Sequence, residues 1–110
     1  MKRMYEPRFA NSQTDRLMEA VLHLHNREDA YRFFEDICTI PEIKSISQRL
    51  EVAYLLGKKE TYQKIADETG ASSATISRVN RALCYGADGY RRVLDAMMEN
   101  ETDSEKENRE

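Results

Sequence analysis

Apolar residues return at three- and four-residue intervals along most of the chain, which predicts helices joined by short turns. From Ser12 to His25, Leu17, Val21 and Leu24, with Met18 and Leu22 beside them, form a broad apolar stripe that needs a covering partner. Asn26 can cap a second helix whose first turn holds Glu28 and Asp29, where they favour the helix dipole; Tyr31, Phe33, Phe34 and Ile37 give it a thick apolar face. A third helix is predicted from Thr39, which has capping-box spacing to Glu42, with Pro41 in the first turn where a missing N–H is harmless. Ile43, Ile46, Leu50, Ala53 and Leu56, with Val52 nearby, keep the helical period until Gly57, which is expected to stop the helix in a left-handed conformation. Thr61 can cap a short fourth helix, "YQKIADET", ending at Gly70, and Ser72 a fifth that runs from Ser73 to Cys84 or Tyr85. Gly86 closes the fifth, and Asp88 caps a sixth whose Tyr90, Val93, Leu94, Met97 and Met98 pack back onto the bundle.

Composition supports an all-α class: of 110 residues four are Gly, two Pro and none Trp, while helix formers abound. A chain this short, 40% apolar, builds only a modest core, so a core shared by two copies is expected. The predicted organisation is an N-terminal arm over 1–11, a helical domain over 12–98 and an acidic tail over 99–110. The tail "ENETDSEKENRE" sets six acids against Lys106 and Arg109; its balance of −4 outweighs the chain's net −3, leaving about +1 for the rest. With no apolar residue to bury, it is expected to be disordered and solvating. No apolar run could span a bilayer and "MKRMYEPRFANS" lacks the apolar block of a signal peptide, so the expected location is the cytoplasm. Cys38 and Cys84 are isolated and read as buried thiols, and His23 and His25 point in different directions on their helix, so no metal site is expected.

The most specific proposal lies in Tyr62–Val79, "YQKIADETGASSATISRV". A helix-turn-helix needs a small residue where its two helices approach, here Ala66, and a glycine able to take positive φ at the turn, here Gly70. Ile65, Ala71, Ile76 and Val79 fall where the two helices bury contacts against each other and the bundle. An ordinary αα-corner uses the same physics, but the outward side of the fifth helix distinguishes the two. Opposite Ile76, Val79 and Leu83 lie Ala74, Ser77, Arg78 and Arg81: small residues near the N-terminus, two cations, and no acid between Ser72 and Tyr85. The candidate DNA contacts are therefore Ser72, Ser73, Ala74, Ser77, Arg78 and Arg81, with Lys64 a candidate backbone contact. The N-terminal N–H groups around Ser73 to Thr75 suit a phosphate. Lys58, Lys59, Arg91 and Arg92 read as solubilising charges near the joints.

An enzyme is not expected: the carboxylates are scattered over solvated faces, no glycine-rich phosphate loop exists, and neither Cys has a suitably placed His. The alternative from another class is a helical dimerisation or adaptor module that uses its aromatic second helix for a protein partner.

The segment "QRLEVAYLLGKKETYQKIADETGASSATISRVNRAL" resembles the tryptophan repressor superfamily, and residues 40–97 resemble its YerC/YecD group. The resemblance implies an intertwined all-helical homodimer of six-helix chains whose helix-turn-helix heads read a palindromic double-stranded DNA site, as a transcription regulator and repressor. It also implies a pocket for a small-molecule co-repressor, with Arg49 and Arg78 at the positions of two arginines that hold the tryptophan indole and Thr75 at a pocket-lining threonine. Ala82 stands where the tryptophan-sensing repressor has a ligand-binding serine. One lost hydrogen bond to a charged amino group costs roughly 1.5 to 3 kcal/mol, about one to two decades of affinity. A regulator that dispenses with L-tryptophan or takes another ligand is therefore the expectation.

Overall fold

The computed structural model describes residues 5–109, those of 102–109 as backbone only. Six helices make up the secondary structure of these residues: α1 (Ser12–Leu22), α2 (Arg27–Ile37), α3 (Ile40–Gly57), α4 (Tyr62–Thr69), α5 (Ser73–Tyr85) and α6 (Gly89–Arg109). None is long and apolar enough to cross a membrane. The chain divides into two compact units, Met1–Ile40 and Pro41–Glu110.

In the first unit, Asn11 caps α1: its side-chain oxygen accepts from Thr14 N–H at 2.9 Å, and Thr14 Oγ1 accepts from Asn11 N–H at 3.0 Å. The helix stops at Leu22 and not at His25, with His23 as its C-cap and the imidazole 3.4 Å from Glu19. Asn26 caps α2 as expected, accepting from Asp29 N–H at 2.8 Å. Phe33 and Phe34 meet edge to face with centroids 5.4 Å apart. Neither helix buries a residue, and Leu22 is 77% and Tyr31 72% exposed.

The second unit closes around Val52, Ala53, Leu55, Ile65, Ala71, Ile76, Val79 and Leu94, all buried, with Tyr54, Leu56, Ala66, Leu83 and Tyr90 packed around them. Apolar residues ring most of α3, and the side that faces this core carries Val52, Ala53 and Leu55. Ile46 and Leu50, also on the helical period, stay exposed. Gly57 remains helical instead of ending α3 in a left-handed conformation; Lys59, at φ 63°, makes that turn. At the start of α6 Asp88 is left-handed too, at φ 69°, and its carboxylate accepts from Arg92 Nε at 3.4 Å. Of the apolar residues expected to pack back from α6, Leu94 is buried, while Val93 and Met97 face outward.

Two further sequence expectations differ from the structure. In the acidic segment, expected to be disordered, α6 continues to Arg109. No Gly or Pro follows Gly89 to break the helix, Glu and Lys are good helix formers, and Glu101 accepts from the Tyr54 hydroxyl at 3.3 Å, tying the extension to α3. Nor are both thiols buried. Cys38 is half-buried, but Cys84 is exposed, turned one helical step away from the inward-facing Leu83.

Candidate nucleic-acid interface

The head is built by local chemistry at each end of two short helices. Thr61 caps α4, its hydroxyl accepting from Lys64 N–H at 3.1 Å. Gly70 ends α4 at φ 72° and donates its N–H to Ala66 O at 2.9 Å, so the turn has the left-handed residue it requires. Thr69 braces that turn: its hydroxyl donates to Ile65 O at 2.7 Å and accepts from Ala71 N–H at 3.1 Å. Ser72 then caps α5 by accepting from Thr75 N–H at 3.1 Å. Ile65, Ala71, Ile76 and Val79 are all buried, and Ala66 is half-buried between the helices, as the motif requires.

Anchoring these inward side chains fixes what α5 presents outward. Ser73, Ala74, Ser77, Arg78 and Arg81 are all exposed. Among the described residues neither arginine has an ion-pair partner, and no acid lies on the helix. Ser72 is exposed as well, but its hydroxyl is engaged with Thr75, to whose Oγ1 it donates at 3.1 Å. The first-turn N–H groups of Ser73 and Ala74 remain at the open end of the helix, where its dipole is positive.

Four other cations of the second unit are more committed. Lys64 Nζ lies 3.2 Å from Glu60 and 3.9 Å from Glu68, which compensates its charge locally. Lys58 sits 4.9 Å above the Tyr54 ring, and Arg92 pairs with Asp88. Arg91, which reads as a solubilising charge in the sequence, donates from Nε to Leu83 O at 3.0 Å, at the carbonyl end of α5. Gln48, which sequence reasoning passed over, donates from Nε2 to Thr69 O at 3.1 Å. Neither has a sequence signal, because both bonds join residues whose proximity only the fold creates. Thr69 had one: a threonine in the last turn of a helix commonly bonds back four residues.

Two residues of the expected co-repressor pocket line separate hollows of the single chain. Arg49 lines an open hollow of about 340 Å³ with Pro41, Glu42, Ser45 and Ile46. Ala82 lines another, about 500 Å³, with Leu50, Ala87, Gly89, Tyr90 and Val93. Thr75 and Arg78 belong to neither. Among the described residues that line the second hollow, Tyr90 alone offers a side-chain polar atom, and such a lining does not fit an amino-acid zwitterion, whose two charges would lose water without gaining partners.

Two capped helices crossing at a glycine turn on a helical frame define a helix-turn-helix protein. The family model for Trp repressor protein matches residues 12–98, and the chain belongs to that family. It is 54% identical over 92 residues to the uncharacterized protein YerC of Bacillus subtilis (strain 168), covering 84% of this chain and 88% of that one. The crystal structure of a TrpR-like protein from Eubacterium eligens ATCC 27750 superposes with a TM-score of 0.76 at 54% identity, over 79% of this chain and 90% of the other. That of a candidate Trp repressor from Staphylococcus aureus gives 0.77 at 50% identity, over 80% and 88%.

Proposed function

We propose that the protein is a DNA-binding transcription regulator, a repressor that acts as a homodimer on a palindromic site. The observation that carries this reading is the outward side of α5, where Arg78 and Arg81 stand exposed and uncompensated beside small residues that let the helix end approach base edges. Phosphate contacts from the N-terminal turn of α5 set affinity and register, and Ser73, Ala74, Ser77, Arg78 and Arg81 meet the bases. Dimerisation is supported by α1 and α2, whose apolar sides have nothing buried in a single chain. Two-fold symmetry then puts the heads on half-sites about one helical turn apart.

Selection of bound fragments from a random DNA pool, followed by titration of the recovered site, tests this. The wild type is expected to recover a palindrome. Arg78→Ala with Arg81→Ala should weaken binding to it by about a hundredfold or more with helix content unchanged, since each lost base contact is worth roughly 1–3 kcal/mol. Binding should also fall steeply with salt, whereas an adaptor's apolar contact with a protein partner would not. Wild-type affinity in the double variant would defeat the reading.

A further inference from the structure

We infer that the chain's own Gln48 and Arg91 hold α5 in its reading pose, so that sequence-specific binding needs no amino-acid co-repressor; the inference rests on the DNA-binding reading above. Two hydrogen bonds bracket the reading helix. At its leading end, Gln48 on α3 donates to Thr69 O, the carbonyl just ahead of the Gly70 turn, across 21 residues of sequence and from a partly buried position. At its trailing end, Arg91 on α6 donates to Leu83 O, one of the last carbonyls of α5, which have no partner within the helix. A guanidinium there gains both a charge-assisted bond and a favourable interaction with the negative end of the helix dipole.

The joint between α5 and α6 is tight as well. Gly86 donates its N–H to Ala82 O at 2.9 Å, and a Cβ at Gly86 would run into that same carbonyl. Thus the end of α4, just ahead of the turn into α5, is tied to α3, and the end of α5 is tied to α6, through atoms of the same chain. Here the hollow beside α5 is lined by Leu50, Ala82, Ala87, Gly89, Tyr90 and Val93, and Arg49 lies in a different one. An ammonium and a carboxylate would find no charged partner among the described residues of that hollow, while the two bonds already restrain the head.

The test is titration of the selected palindrome and of random-sequence DNA with the full-length chain, with and without L-tryptophan. Tryptophan is expected to change the wild-type Kd for the palindrome by less than about twofold. Arg91→Ala and Gln48→Ala are each expected to weaken that Kd by about tenfold, the scale of one hydrogen bond, and to leave random-sequence binding within about twofold. A direct phosphate contact by Arg91 would weaken both DNAs alike, so equal losses overturn the positioning role. Arg91→Lys, which keeps a donor and a positive charge, should recover part of the loss. Should an alanine variant fail to fold, hydrogen exchange of the α5 amides in the wild type still decides, because their protection should not rise with tryptophan. Tenfold or greater tightening by tryptophan overturns the inference and leaves the DNA-binding reading standing. Recovery of no DNA site with or without tryptophan brings down both.

Discussion

At the scale of single residues, three of the described positions adopt left-handed backbone and one of these is glycine. Gly70 needs that freedom for its φ of 72° alone, because a Cβ there would meet nothing within 4 Å. Gly70→Ala should therefore cost about 1–2 kcal/mol, the price of left-handed geometry for an L-residue, without a steric penalty on top. Lys59, at φ 63°, already bears that cost, so Lys59→Gly should shift stability the opposite way, by about 0.5 kcal/mol after the added chain entropy of glycine. Urea midpoints of the two variants check both signs; a loss on Lys59→Gly would mean that the lysine side chain contributes more than its backbone costs. Lys64 and Arg92 have carboxylates at ion-pair distance, while among the described residues the two arginines of α5 have none.

At the scale of elements, α3 has two apolar sides with different work. Leu55 is buried in the core and Leu50 is 37% exposed. Leu55→Ala is expected to cost about 2–5 kcal/mol in chemical denaturation, whereas Leu50→Ala should cost well under half of that in the isolated chain. Comparable losses would show that the two sides are not distinct. This division also explains what could be read in advance. The bounds of α4 and α5, their Thr61 and Ser72 caps, the Gly70 turn and the buried Ile65, Ala71, Ile76 and Val79 were legible because caps, turn geometry and helical period act within a few residues. The inward side of α3 was not, since a helix apolar nearly all round has no periodic signal to point it, and Leu55 went unnoticed beside Leu56. The stop at Lys59, the Gln48 and Arg91 bonds and the scattering of Arg49 and Ala82 into separate hollows arise from packing across elements. The helix through the acidic run is not legible because its composition suits solvated coil and solvated helix equally, and the bond from Tyr54, 47 residues upstream of Glu101, comes only with the fold.

At the scale of the whole molecule, the exposed sides of α1 and α2 predict that association and folding are coupled. The midpoint of thermal unfolding should rise with protein concentration, as it does when only the folded dimer is stable. Leu22→Glu or Tyr31→Glu should yield monomers in sedimentation while the core around Ile65 and Ile76 stays protected in hydrogen exchange; an undisturbed dimer in both would place the interface elsewhere. The same bare helices bear on biosynthesis. A ribosome delivers the N-terminus first, so α1 and α2, which bury nothing even in the finished chain, emerge with their leucines and aromatics uncovered before the head that can close its own core has been made. On the dimer proposed above, their wait ends when a second chain arrives, which makes the local density of nascent copies, and the holding capacity of chaperones, a determinant of how much folded protein the cell obtains from each message.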